Sequence, residues 1–123
     1  MAVTQSRDNR TLIAAADLSA SQFHFVKMDA AGKAALCGNG DAAFGVVEVG
    51  GTAGAASTIT VRGKVMVKCG AAVTIGDDVG IDAAGKAVNA GANDIIVGRA
   101  YETGANNQLI AIELSGLNTV AHA

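Results

Sequence analysis

The chain has no proline and no tryptophan, one tyrosine, three phenylalanines, two histidines and two cysteines among its 123 residues. Each shortage removes a class of explanation. Without a Pro-rich, Ser-rich or charged run nothing reads as a linker, and the length suits one ordinary domain. Cys37 and Cys69 form no CxxC pair and have no metal-ligating neighbours. They read as small buried hydrophobes in a reducing cytoplasm, not as a disulfide framework. His24 lies between Phe23 and Phe25, and His122 is the penultimate residue. Two histidines so placed make neither an HExxH zinc site nor a Ser-His-Asp set, and His24 reads as a strand residue facing solvent or an interface.

Charge of one sign is also missing. Nine basic and eleven acidic side chains give a net charge of -2 and are spread along the chain, whereas nucleic-acid binding needs a concentrated basic face. Apolar runs extend for only a few residues, far short of the ~20 needed to span a bilayer as a helix. The opening residues Met1 to Arg10 are polar and read as neither a signal peptide nor a membrane span. These features argue against a nucleic-acid or membrane partner.

Alanine and glycine are abundant instead, roughly a third of the chain. The side chains that bury real area (Val, Ile, Leu, Phe) are about a quarter of it, so each buried position contributes less than in a Leu/Phe core. A thin core leaves two alternatives open: a well-packed small monomer, or a subunit stabilised by contacts with other copies.

The most informative feature is an internal repeat. Met28-Asp-Ala-Ala-Gly-Lys-Ala34 returns as Ile81-Asp-Ala-Ala-Gly-Lys-Ala87. Val26 aligns with Val79, Gly38 with Gly91, Asp41 with Asp94 and Gly45 with Gly98. After a loop taken as about two residues shorter, Thr58–Val61 aligns with Leu109–Ile112, and Leu18–Ser21 has a looser counterpart in Val73–Gly76. In each copy Asp is suited to accept hydrogen bonds from following amides and Gly to close a tight hairpin. A phosphate loop would need GxxxxGK, then Ser or Thr and a helix; Ala follows Lys here, with strand-like sequence after it.

Alternation of apolar and polar residues marks further strands at Phe23–Met28, Ala43–Val49, Thr58–Arg62 running through Gly63 into Lys64–Lys68, Asp94–Tyr101 and Gln108–Leu114. Ile59, Val61, Val65 and Val67 are the inward candidates. Arg10–Leu18, with three alanines, is the one place where a short helix competes. The expected fold class is all-β, a small barrel or sandwich of two related units (about 23–62 and 76–114) within one domain, 11–123, preceded by an extended arm, 1–10.

Convergent chemistry is scarce. Asp77, Asp78 and Asp82 are the densest acidic group but lack EF-hand spacing; they read as turn-capping and solvated, with a weak cation site as the alternative. Gly38–Gly45 has the wrong spacing for a dinucleotide fingerprint, and a strand follows it. No enzyme, metal or cofactor emerges from the residues.

Taken together, Met1-Ala-Val-Thr-Gln5, Ala14–Ala20, Gly40–Val46, Gly76–Val79, the two Asp-Ala-Ala-Gly-Lys turns and Ile96-Val-Gly-Arg-Ala100 resemble the capsid decoration (cement) proteins of tailed bacteriophages. The resemblance covers about Thr11 to Leu114 and rests on turns, so it implies a fold family and no catalytic residues. It implies a virion structural protein on the outer capsid surface, made in the host cytoplasm. There it would be a homotrimer clamping neighbouring major capsid subunits. Another phage β protein (tail tube, spike or minor head protein) and a small ligand-binding barrel are the competing readings. The N-terminal arm is the partner-binding candidate, through Gln5, Arg7, Asp8 and Arg10, with the arginines reaching acidic groups on a partner; a frayed terminus is its alternative.

Overall fold

The computed structural model describes residues 7–39, 41–91 and 95–120; Gln5, Gly40, Asp94 and His122 lie outside the described residues. The fold is all-β. Among the described residues the strands are β1 (Arg7–Ile13), β2 (Phe25–Met28), β3 (Ala34–Leu36), β4 (Gly45–Val49), β5 (Ala56–Lys68), β6 (Asp78–Ile81), β7 (Ala87–Asn89), β8 (Ile95–Ala100) and β9 (Leu109–Val120). They join one antiparallel sheet in the order β3-β2-β4-β5-β9-β8-β6-β7, with β1 added to β5. Strand twist lets such a sheet curl, and it does so at both ends. Ala14, just past β1, bridges Ala34 in β3, while Cys69, just past β5, bridges Ala87 in β7. The result is closer to a barrel-like curl than to two stacked sheets.

The long strand β5 holds the molecule together. Its first part pairs with β1 and β4, and its second part, Gly63–Lys68, pairs with β9. Period-2 alternation sends Val65 and Val67 inward while Met66 stays exposed, as a sheet with one wet face requires. Two apolar clusters result. One gathers Ala14, Leu18, Val26, Ala34, Val47 and Ile59, with Leu12, Phe44 and Val61 half-buried against it. The larger one is built on Val67, Val79, Val97, Ile110, Ile112 and Leu114, and it also takes in Phe25, Cys37 and Val46 from the first half of the chain.

The turns have a common construction. Asp29 accepts from the amides of Ala31 and Lys33 through Oδ1, both at 2.9 Å. Asp82 accepts from Ala84 at 2.8 Å and Lys86 at 2.9 Å. Gly32 and Gly85 follow at φ +77° and +76°, the left-handed region that glycine enters without Cβ strain. Further bonds recur between corresponding residues. Val47 N–H to His24 O has a counterpart in Ala100 to Asp77, and Gly54 N–H to Ala14 O in Asn107 to Cys69. Gly54 and Asn107 both have positive φ, as do Phe23 and Gly76.

The expected N-terminal arm needs correction. Arg7–Arg10 is no free arm: it forms the first part of β1, with Asp8 opposite Arg62, Asn9 opposite Thr60 and Arg10 opposite Ile59. Nor is Arg10–Leu18 helical, since β1 runs to Ile13 and bends follow. An edge strand whose side chains are mostly wet shows no alternation to read; its ordering comes from backbone bonds to β5, which sequence patterning does not register. The tandem alignment also shifts. Val47 pairs with Ile59 and Ala100 with Ile112, so Ile59 corresponds to Ile112 and the intervening loop is not shortened. The length difference falls between Leu18 and Ser21, because Leu18 N–H bonds Gly51 O as Val73 N–H bonds Gly104 O, whereas Ser21 already matches Thr74.

One consequence is measurable. Deleting residues 2–13 strips β5 of its edge partner and Leu12 of its place on the core, and is expected to cost about 2 kcal/mol or more in a urea melt. A truncated chain as stable as the full one would show that β1 adds nothing to the fold.

Candidate functional site

The structure places three of the four sequence candidates on one strand. Gln5 lies outside the described residues; Arg7, Asp8 and Arg10 lie along β1, where Asp8 and Arg10 are exposed. Arg10 donates locally, from Nη1 to Asn9 O at 2.8 Å, so its charge remains on the surface. The acidic group is dispersed into separate tasks. Asp78 pairs with Arg99 at 3.2 Å across β6 and β8, and Asp82 caps its own turn. Among the described residues no group of three or more His, Cys, Asp or Glu is placed to hold a metal ion.

The Gly38 loop is fixed electrostatically. Asp41 Oδ2 accepts from Gly38 N–H at 2.8 Å and from Lys27 Nζ at 2.9 Å. The amide first, then the ammonium, hold the Asp41 carboxyl below its ordinary range. These bonds tether the loop to β2, and nothing in them suggests catalysis.

Both cysteines are buried and free. Burial above all, then the Asp41 charge, pushes the Cys37 thiol up to about 12, and burial also raises Cys69. A thiol held protonated is a poor nucleophile. Both should resist alkylation by iodoacetamide at pH 8 in the native protein and react fully in urea; rapid native labelling would contradict the burial.

Cross-strand register assembles a surface that sequence reading did not single out. On the wet face of β5, β8 and β9, Lys64 lies opposite Glu113 and Met66 opposite Ala111. Tyr101, just past β8, donates its hydroxyl to Glu113 and has Lys64 Nζ 4.7 Å from its ring centroid. The Glu113 bond raises the Tyr101 hydroxyl above its usual range. In the first part of β5 the buried Thr60 hydroxyl lies between Asn9 Oδ1 at 3.0 Å and Glu48 Oε2 at 3.3 Å, donating to one at a time. These groups come together only through register, which is why spacing along the chain gave no hint of them.

The class that follows is an all-β module made of strands and capped turns. The chain belongs to the phage cement protein family, whose match runs over residues 4–114, and it is accordingly a structural protein of the phage virion. Among solved structures, the N base of head fiber gp8.5 of bacteriophage phi29 is similar at a TM-score of 0.68 and 15% identity, over 93% of this chain and 98% of that one. At that identity the likeness bears on the fold. No curated protein matches the chain.

Proposed function

We propose that the protein binds the outer surface of an assembled capsid and stabilises it by bridging neighbouring major capsid subunits, working as a homotrimer. The family match over residues 4–114 carries this reading. The structure is compatible with it: a small rigid sheet with polar turns and a wet face carrying exposed Met66, Tyr101 and Leu109 offers area for a partner. Within the chain, we read residues about 23–62 and 76–114 as two copies of one unit. The matched turn bonds, positive-φ positions and strand pairings support this.

A co-pelleting assay tests the function. Purified protein should sediment with expanded empty shells of its own phage, saturate at a fixed ratio to capsid subunits, and raise the temperature at which those shells rupture. Shells that pellet without it, or rupture at the same temperature with it bound, would refute the stabilising role.

A further inference from the structure

The two halves meet through a joint with a plug and a socket. The plug is the start of β2 and its neighbours. Phe23 O accepts from Lys68 N–H at 3.0 Å, Phe25 N–H donates to Gly85 O at 2.8 Å, and a Cβ built on Gly85 would meet Leu36 Cδ1 at 3.0 Å. Phe25, Cys37 and Val46 then share the larger core with Val65, Val67 and Ile81. The socket is the free edge of β5 beside the Asp82–Lys86 turn.

The same surface exists on the first half and is uncovered. Gly32 occupies the position of Gly85, but nothing lies within 4 Å of where its Cβ would be. Ile13 holds the place of Lys68 and Met28 that of Ile81; they are 42% and 47% exposed. Leu12, Phe44 and Val61 are only half-buried, whereas their counterparts Val67, Val97 and Leu114 are buried. Among the described residues no backbone bond like those at Lys68 and Gly85 reaches Ile13 or Gly32. At the opposite end, the plug of the second half is less covered: Gly76 corresponds to Phe23, Asp78 to Phe25, and Arg99, across the same strand pair, to Val46. Gly76 and Arg99 are exposed and Asp78 is half-buried, whereas Phe25 and Val46 are fully buried.

The two free ends differ from the internal joint in a complementary way. Arg10 replaces Val65 in the socket, and Asp78 replaces Phe25 in the plug, with Asp77 beside it. An apolar position of the socket has become a cation, while in the plug Phe25 and Val46 have become the Asp78–Arg99 ion pair, which Asp77 beside it leaves with a net negative charge. We propose that a second copy of this chain docks head to tail here, its Gly76–Asp78 segment seated on the Arg10–Ile13 and Gly32 surface as Phe23–Phe25 is seated on the second half. The contact is heterologous, so it closes into a ring if the rotation per step divides the circle and runs on as a filament if it does not. The inference rests on the reading of two like units and deepens the homotrimer reading by naming its interface.

Sedimentation velocity of the full chain tests it without any capsid. The wild type should associate, less so as salt rises. Arg10→Asp alone and Asp78→Arg alone each set like charges face to face and should weaken association about tenfold or more. The double variant Arg10→Asp/Asp78→Arg should recover it, because both faces are reversed in every copy. Met28→Asp should weaken association without any such rescue. Melting curves establish that each variant is folded, and Asp77→Arg paired with Arg10→Asp stands in if Asp78→Arg is not. A wild type that stays monomeric, single variants that associate like the wild type, or a double variant that does not recover would each overturn the proposal. A chain that associates as described but leaves shells undecorated would instead refute the capsid reading alone.

Discussion

Phe25→Ala is expected to destabilise the protein by about 3–5 kcal/mol in a urea melt, the range for emptying a fully buried aromatic site. Phe25 is 0% exposed and belongs to the core dominated by the second half, although it stands in the first. Its loss opens the joint where the two halves meet. Rigid strands on both sides, bonded through Phe25 N–H to Gly85 O, leave little room for collapse into the space. Phe25→Leu keeps most of the volume and should cost about 1 kcal/mol. If Phe25→Ala were as mild as Phe25→Leu, the joint would not be a packed core.

Gly98→Ala should be among the costly single-methyl additions, at about 3 kcal/mol. A Cβ there would sit 2.0 Å from Glu113 O and 3.0 Å from its carbonyl carbon. Those are backbone atoms of β9, so no side chain can turn aside and the pairing of β8 with β9 must open. Gly45 is in the same position against Thr60 O on β5 and should behave alike. Gly32→Asn is the contrast: its φ of +77° suits asparagine and its surroundings are open, so a cost under about 1 kcal/mol is expected. Equal costs at Gly98 and Gly32 in thermal melts would mean that backbone conformation, and not the close strand approach, explains the strand glycines.

Much of this fold was legible because it is written in local chemistry. Asp29 and Asp82 announce their turns, and the alternation around Val65 and Val67 announces β5. The matching positions of Gly45 and Gly98 were also visible as a repeat, although sequence alone did not give the reason, a strand crossing too closely for a side chain. β1 was missed for a physical cause. Asp8, Asn9, Arg10 and Thr11 are all exposed, so only Leu12 and Ile13 at the end of the strand are apolar, too short a run to show alternation, and its order comes from β5. The loop before β5 misled for a related reason. Thr58–Val61 and Leu109–Ile112 look alike as apolar-containing runs, and only the pairing of Val47 with Ile59 and of Ala100 with Ile112 fixes the frame. The candidate site was scarcely legible at all. Lys64, Tyr101 and Glu113 are distant in sequence and meet through register, while the uncovered socket is recognisable only by comparison with its filled counterpart.

Imaging expanded shells of the phage after incubation with the purified protein, and reconstructing them, decides whether the protein decorates and bridges a capsid as proposed. Added density is expected on the outer surface, fitting the nine-stranded sheet and touching at least two major capsid subunits at each site. Bare shells, or density confined to the tail or to the interior, would contradict the proposal.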